Sequence, residues 1–273
     1  MGLVFAGISP HPPLLIPEIG GERRDKVEAT LKAEEIWAER LKAANPGRIV
    51  IISPHAPSDI SRIPIFDLDK LSGDMGRFGC SEVAMEWEID RLFVKKLSAE
   101  NIPIIKIDNA FCEHWRLRAE LDHGAFIPLY FAAKAGVKVP IVLLGYGALS
   151  RRYYERLGKV IAKLATEDSV PTAFIASGDL SHRLLASGPY GFNEEGPIFD
   201  KMITEAMQKR SLRKLREIGE SNIYEAGQCG FNAILAVIAA LESFDCETNF
   251  LSYEGPYGVG YAVCAYEEIR ERG

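Results

Sequence analysis

Short runs of apolar residues alternate along the chain with longer segments whose apolar residues recur at helical spacing. Several of the runs are apolar throughout, which is typical of strands that are covered on both faces of a sheet. The predicted strands are Leu3–Ile8, Arg48–Ile52, Ile102–Ile107, Val139–Leu144 and Pro171–Ala176, with Thr248–Tyr253 and Val259–Tyr266 as a closing antiparallel pair. The predicted helices are Glu22–Ala44, Glu82–Ala99, Ala125–Lys134, Leu149–Ala165, Gly196–Arg210, Ser211–Ile218 and Glu225–Leu241. Strands separated by helices predict an α/β fold with a mixed, largely parallel sheet sandwiched between helices.

Composition narrows the classes of function. The 273 residues carry a formal net charge of −6 with both signs interspersed, so we expect no nucleic-acid partner. No apolar stretch approaches the roughly 20 residues of a membrane helix, so we expect no membrane partner. No Ser/Gly/Pro-rich linker divides the chain, which favours a single domain over residues 1–273. The five cysteines show no CxxC spacing, which is typical of reduced thiols in a cytoplasmic protein.

Three predicted strands run directly into a segment that carries a histidine. Ser9-Pro10-His11 and Ser53-Pro54-His55 repeat the same tripeptide, and a third strand continues into Ser177-Gly178-Asp179-Leu180-Ser181-His182. The carboxyl ends of parallel strands lie along one edge of a sheet, where open α/β folds bind ligands. A single histidine in such a position is usually a capping or surface residue. Three of five histidines in the same position predict a shared site instead.

The remaining histidines differ in their surroundings. His123 begins a predicted helix and follows Asp122, which is either the N-cap of that helix or a residue of the site. His114 lies in a charged stretch and is predicted to be a surface or structural residue. Imidazoles in this number suit two roles, as neutral ligands of iron or zinc and as acid–base groups near neutral pH.

Two histidine ligands need a third donor to hold a divalent metal well. Glu225 and Cys229 stand near the start of the late apolar helix, and Glu254 follows a predicted strand. Glu225 and Cys229 each have an ordinary structural alternative. Glu225 is then a charge at a helix N-terminus, and Cys229 is a small buried residue. Asp179 either orients an imidazole or caps a turn. Residues 255–260 are predicted to form a glycine-rich hairpin turn or a lid over the site, so Glu254 and Tyr257 are candidates for substrate contact. Asp122, next to His123, is a further candidate.

Five of these motifs together resemble the class III extradiol ring-cleavage dioxygenases, the LigB-like catalytic subunits. The similarity extends from His11 to Tyr261, and the Cys-Gly pair at 229–230 resembles the Memo branch of that family. The motifs are His11-Pro12-Pro13-Leu14-Leu15, Ser53-Pro54-His55, Leu121-Asp122-His123-Gly124, Gly178-Asp179-Leu180-Ser181-His182 and Ala226-Gly227-Gln228-Cys229-Gly230.

The resemblance implies a role for each matching residue. His11 and His55 match the two metal-ligating histidines, His182 matches the acid–base histidine, and His123 matches a second pocket histidine. The family's third ligand is a glutamate, whereas the matching neighbourhood here contains Cys229, with Glu225 one turn earlier. The implied cofactor is Fe(II), and a thiolate ligand suits zinc as well.

The implied reaction is the cleavage of a catecholic ring by O₂, so the expected partners are a small aromatic diol and O₂. Relatives in this branch often carry or accompany a second domain, and a homodimer is expected from base rates. Two alternatives use the same residues. One is a Memo-like metal-binding protein without dioxygenase activity, which serves redox or ligand recognition, and the other is a zinc hydrolase with His182 as base.

Overall fold

The computed structural model describes residues 2–272, and its regular elements are numbered here in chain order. The strands are β1 (Leu3–Ser9), β2 (Arg48–Ile52), β3 (Ile63–Phe66), β4 (Lys70–Met75), β5 (Cys80–Glu88), β6 (Ile104–Ile107), β7 (Ile141–Leu144), β8 (Thr172–Ser177), β9 (Phe244–Glu254) and β10 (Tyr261–Glu271). The helices are α1 (Pro17–Gly20), α2 (Glu28–Ala43), α3 (Arg91–Ser98), α4 (Asn109–Trp115), α5 (His123–Lys134), α6 (Arg151–Glu167), α7 (Glu195–Gln208), α8 (Leu212–Glu217), α9 (Glu220–Ala226) and α10 (Phe231–Ala240). Short 3₁₀ turns span Pro13–Leu15, Gly21–Val27 and Gly76–Phe78.

One large sheet organises these elements. Its strand order is β6-β3-β7-β2-β8-β1-β10-β9. The central strands β7, β2, β8 and β1 run parallel to one another. β10 is antiparallel to β1 and to β9, and β3 is antiparallel to β7. The predicted closing pair of antiparallel strands is therefore confirmed. The sheet is mixed and largely parallel, as its apolar strands predict.

Helices cover the sheet on both faces. The chain crosses from β1 to β2 through α2 and returns from β7 to β8 through α6, moving in opposite directions along the sheet. Because such crossovers are right-handed, opposite directions place the two helices on opposite faces. Helix α5 packs with α2, and α10 packs with α6. The predicted α/β fold class is thus confirmed, and β2 and β8 are buried along their whole length.

The helix predicted over Glu82–Ala99 is wrong in its first half. Residues 80–88 form strand β5, which pairs with β4 in a separate two-stranded hairpin, and only Arg91–Ser98 is helical. Val83, Met85 and Trp87 alternate with glutamates and an alanine, which is the two-residue period of a strand. Asp90 then caps α3 by accepting a hydrogen bond from the backbone N–H of Phe93.

The predicted helix over Glu225–Leu241 is also wrong at its start. Helix α9 ends at Ala226 because Gly227 adopts a left-handed conformation (φ 63°), and α10 begins only at Phe231. Cys229 therefore lies in the link between two helices. None of the helices within residues 2–272 combines the length and hydropathy that a bilayer span requires.

Candidate metal centre and adjoining cavity

Three adjacent strands of the sheet end beside one another and carry the histidine segments. β2, β8 and β1 are neighbours, with Ser9 of β1 in register with Ser177 of β8. The chain leaves these strands toward His55, His182 and His11, respectively. The predicted meeting of the three segments at the carboxyl edge of the sheet is what the structure shows.

His11 is fixed in one tautomer. Its ring is buried, and its Nδ1 lies 2.9 Å from the hydroxyl of Ser177, which donates its own proton to the carbonyl oxygen of Gly124. Since that hydroxyl has only one proton, it accepts from Nδ1–H of His11. The lone pair of His11 therefore resides on Nε2. Burial, together with His55 and His182, holds the pKa of His11 well below its usual value, so the ring is neutral.

Three potential metal-ligand atoms lie close together, and Nε2 of His11 is one of them. Nε2 of His55 lies 3.1 Å away and Sγ of Cys229 lies 3.6 Å away. The ligand atoms of His11, His55 and Cys229 all lie within 4.8 Å of one another. Two neutral imidazoles and a thiol form a donor set that suits iron or zinc.

One close backbone contact and two hydrogen bonds hold Cys229 in place. A Cβ on Gly178 would lie 2.2 Å from Cα of Gly230, so the loop after β8 and the link before α10 touch backbone to backbone. This approach lets the backbone N–H of Asp179 donate to Sγ of Cys229 over 3.2 Å. The hydroxyl of Tyr146 donates to the carbonyl oxygen of Cys229 over 2.7 Å. Burial, then the charge of Asp179, raise the pKa of the Cys229 thiol well above its usual value.

Asp179 lies between the donors. Its Oδ1 accepts a hydrogen bond from the backbone N–H of His11 over 2.9 Å, and its Oδ2 lies 3.8 Å from Nε2 of the same histidine. Burial raises the pKa of Asp179 to about 6. Asp179, His182 and Cys229 form a second group of converging ligand atoms, so Cys229 is shared between both groups.

His123 stacks on His55. The two ring centroids are 4.1 Å apart, and the ring of Phe78 lies 5.3 Å from His123 on another side. Burial, reinforced by His55, His11 and Arg77, lowers the pKa of His123 to about 3. The neighbouring Gly124 is required for this arrangement, because a Cβ there would lie 2.4 Å from the hydroxyl of Ser53.

Asp122 is the N-cap of α5. Its Oδ1 accepts from the backbone N–H groups of Gly124 and Ala125 and from the hydroxyl of Ser53. Its Oδ2 is buried and finds no hydrogen-bond partner within residues 2–272. Burial raises the pKa of this carboxyl. Asp122 thus caps the helix and also links it to the loop that carries His55.

His182 faces the centre from the loop after β8. Its backbone N–H donates to the carbonyl oxygen of Ala226, and the adjacent backbone N–H of Ser181 donates to buried Asp200 over 2.7 Å. The ring lies 5.1 Å from that of Tyr190, and its Nε2 has no hydrogen-bond partner in the described part of the chain. Burial lowers the pKa of His182, with Asp179 acting in the opposite direction.

Three of the predicted site residues lie in other networks. Glu225 accepts hydrogen bonds from Arg183 and Asn193, and it belongs to neither group of converging ligand atoms. Glu254 accepts from the backbone N–H and the hydroxyl of Thr30, both over 2.6 Å. The hydroxyl of Tyr257 donates to the carbonyl oxygen of Arg23. His114 is exposed on α4, as predicted.

A cavity of about 730 Å³ opens beside the histidines. His55, Asp122 and His123 form one wall, and Arg77 and Phe78 at the tip of the β4–β5 hairpin form another. Arg77 pairs with Glu120, which also lines the cavity. The volume is within the range of pockets that bind small molecules.

The sequence of residues 6–264 matches the family described as "Catalytic LigB subunit of aromatic ring-opening dioxygenase". The chain belongs to the LigB family. The resemblance that the five motifs carry is therefore confirmed, and LigB membership supports a dioxygenase-like fold. Within this fold, His11 and His55 follow the carboxyl ends of β1 and β2, where ligand sites of open α/β sheets occur, and Cys229 reaches them from the link between α9 and α10.

This LigB chain is similar to one curated protein in sequence and to one solved structure in fold. A curated protein of Clostridium acetobutylicum, Protein CA_C1420, is 34% identical over 262 residues, which cover 94% of this chain and 56% of that protein. The chain thus spans little more than half the length of this curated relative. A crystal structure of uncharacterized protein JW3007 from Escherichia coli K12 has a TM-score of 0.66 at 13% identity and covers 96% of this chain and 99% of its own. This second likeness shows the fold.

Several residues of the centre carry no assignment from the sequence alone. Ser177 and Tyr146 hold His11 and Cys229, and Arg77 and Phe78 bound the cavity. A signal existed for Ser177, because Ser9, Ser53 and Ser177 each stand at a strand end before a histidine segment. The hairpin residues gave no such signal, since they lie before the predicted helix Glu82–Ala99 in a stretch for which no element is predicted.

Proposed function

We propose that this chain holds a divalent transition metal through His11, His55 and Cys229 and opens a catecholic ring with O₂. The observation that carries the proposal is the convergence of two imidazole Nε2 atoms and one thiol at the carboxyl edge of the sheet, beside a cavity. Fe(II) is the proposed metal, and zinc is the alternative that a thiol ligand also suits.

The donor set fits a metal ion. The hydrogen bond from Nδ1 of His11 to Ser177 directs the free lone pair of the ring toward His55 and Cys229. Such an outer hydrogen bond is the usual way in which proteins orient a ligating histidine. When bound, the metal supplies the Lewis acidity that lowers the pKa of catechol hydroxyls and the redox chemistry toward O₂.

The remaining histidines provide the acid–base groups of the proposed reaction. His182 is neutral, and its unpartnered Nε2 is free to accept a proton from a substrate hydroxyl. Asp179, close to His182 and His11, balances the positive charge that His182 gains in that step. His123 is neutral and donates a hydrogen bond to a polar atom of the substrate or of oxygen in the cavity.

The test is anaerobic reconstitution with Fe(II), followed by addition of a panel of catechols and measurement of O₂ uptake and ring-opened product. We expect turnover with the wild-type protein and a loss of at least a hundredfold in kcat for His182→Gln, because general acid–base groups contribute about that much. The matched control is His114→Gln, which changes a histidine on the exposed surface of α4. Absence of O₂ uptake from a fully loaded protein would contradict ring opening.

One observation favours a second function. A thiol stands where the resemblance leads us to expect a glutamate, and a metal-binding protein without ring-opening activity uses the same three donors. This Memo-like alternative predicts stoichiometric metal that survives purification and no O₂ uptake with any catechol. Measurement of metal content together with O₂ uptake on the same sample separates the two functions.

A further inference from the structure

A second cavity adjoins the one beside the histidines. Its volume is about 190 Å³, and it lies between helix α4 and the strands β3 and β6, of which β6 is the edge strand. Pro57, Ser58 and Leu117 line both cavities. Because these residues border both spaces, the two cavities are neighbours that share a wall, which begins two residues beyond His55.

Most of the residues that line this second cavity, here named the apolar cleft, have hydrophobic side chains. They comprise Pro64, Ile105, Ile107, Phe111 and Trp115 in addition to the shared residues. Asp59 is the only charged residue among them, and its carboxylate already accepts hydrogen bonds from Ser61 and Arg62. The apolar cleft therefore offers no free charge to a ligand, in contrast to the larger cavity with its histidines and arginine.

Trp115 is the outer wall of the apolar cleft. Its side chain is 65% exposed, whereas Trp37 and Trp87 are buried in the core. Phe111 lies one turn earlier on α4, with its ring centroid 6.2 Å from that of Trp115. Phe111 is partly buried against the core, so Trp115 is the exposed member of the pair. Aromatic side chains on a concave surface provide a large contact area for a flat apolar group.

The size of the apolar cleft suits one aromatic ring. A buried apolar cavity of about 150 Å³ in another protein is known to bind benzene. A volume of about 190 Å³ is therefore sufficient for a phenyl group. The larger cavity, at about 730 Å³, holds a catechol with room to spare.

We infer that the substrate is an aryl-substituted catechol, whose diol ring lies beside His55 and His123 and whose second ring occupies the apolar cleft against Trp115. This inference rests on the proposed function for its diol ring, and on the second cavity for its aryl group. Burial of the second ring removes apolar surface from water on both sides of the contact, which favours the substituted diol over catechol itself.

The test compares catechol with 3-phenylcatechol and 4-phenylcatechol. Each is titrated calorimetrically into Fe(II)-loaded protein without O₂, so that binding is measured apart from turnover. We expect at least one phenylcatechol to bind tenfold or more tightly than catechol. Trp115→Ala should remove most of that difference and leave the Kd of catechol unchanged, while Trp115→Phe should preserve it. Leu92→Ala, a change of a 75% exposed leucine on α3, is the matched control and should leave all three Kd values unchanged.

Two results would overturn the inference: equal binding of catechol and both phenylcatechols, or an aryl preference that Trp115→Ala leaves intact. Admission of O₂ at the end of each titration tests the proposed function separately, since a protein that prefers phenylcatechol without opening its ring retains the inferred cleft and loses the proposed reaction. A parallel titration of metal-free protein with 4-phenylphenol and phenol measures the apolar cleft without any metal. The same preference and the same dependence on Trp115 are expected there.

Discussion

The hydroxyl of Ser177 decides which nitrogen of His11 is available to a metal. It donates to the carbonyl oxygen of Gly124 and therefore has only lone pairs to offer to Nδ1 of His11. The carbonyl belongs to the first turn of α5, so the orientation of one imidazole depends on a helix that begins 112 positions later in the chain, at His123.

We expect Ser177→Ala to weaken metal binding by about tenfold to a hundredfold, because outer hydrogen bonds to ligating histidines usually contribute that much. The measurement is competition for Zn²⁺ or Fe(II) with a chromophoric chelator. Ser72→Ala, on the exposed hairpin strand β4, is the control and should bind metal as the wild type does. Unchanged affinity in Ser177→Ala would show that another contact fixes the ring.

The two candidates for the third metal ligand, Cys229 and Glu225, lead to opposite predictions for metal binding by their variants. Because Sγ of Cys229 lies 3.6 Å from Nε2 of His11 and Glu225 pairs with Arg183, we expect Cys229→Ser and His11→Ala to lose metal, and Glu225→Gln to retain it. Substitution with Co²⁺ gives a second readout, since a thiolate ligand produces an intense near-ultraviolet charge-transfer band. The band should be present in Glu225→Gln and absent in Cys229→Ser. Metal loss in Glu225→Gln alone would identify the carboxylate as the ligand.

At the scale of elements, α2 carries a buried acid in its apolar stripe. Thr30, Glu34, Trp37 and Leu41 are all buried, which is the spacing of a helix face against a sheet. Oε1 of Glu34 accepts from the hydroxyl of Ser9 over 2.8 Å, and Oε2 has no partner within the described residues. Burial raises the pKa of Glu34 to about 8, so the carboxyl is protonated in the folded protein at neutral pH.

This raised pKa predicts a pH dependence of stability. In the unfolded chain Glu34 ionises near its usual pKa, so between that value and about 8 the folded state binds more protons and stability falls as the pH rises. The contribution is up to about 1.4 kcal/mol per pH unit. Glu34→Gln should abolish it, and the free energy of unfolding in urea at pH 5 and pH 8 measures the effect. An equal change between the two pH values in both proteins would mean that Glu34 ionises normally.

The order of elements was predictable from sequence where the period of apolar residues was long or unambiguous. The patterns predicted β1, β2 and β8 because these strands are covered on both faces. The pattern predicted α6 because this helix buries one clear apolar stripe. The hairpin β4–β5 was not, because its short alternation competes with residues of good helical propensity such as Glu82, Ala84 and Met85. The histidines of the centre were predictable because strand ends share an edge. Their supporting contacts to Ser177 and Tyr146 depend on tertiary packing that no local pattern encodes.

At the scale of the molecule, the donors join segments that are remote in sequence. His11 follows β1, His55 follows β2, and Cys229 precedes α10. The two histidines lie 44 positions apart. A bound metal therefore links strands in the middle of the sheet with a helix that covers it. The expected homodimer and the separate partner domain stay predictions. A single domain over residues 1–273 also stays a prediction, because the matched region covers 56% of the curated relative.

Removal of the metal should destabilise the whole fold. A ligand present at a hundred times its Kd adds about 2.7 kcal/mol to the stability of the folded state. For a chain of this length we expect a fall in Tm of about 5 °C after treatment with a chelator. Differential scanning fluorimetry measures the shift, and Cys229→Ser should show little of it. A Tm that is independent of added metal would argue against binding at this centre.

The separation of 218 positions between His11 and Cys229 also has a consequence for biosynthesis. A ribosome that adds roughly 5–20 residues per second needs roughly 10–40 s to pass from the first donor to the last. During that interval the nascent chain exposes both histidines without the thiol, and β8, which lies between β1 and β2, is absent for most of it. A stable three-donor complex must therefore await translation of the segment around Cys229, so the two histidine segments emerge well before the complete set of donors exists.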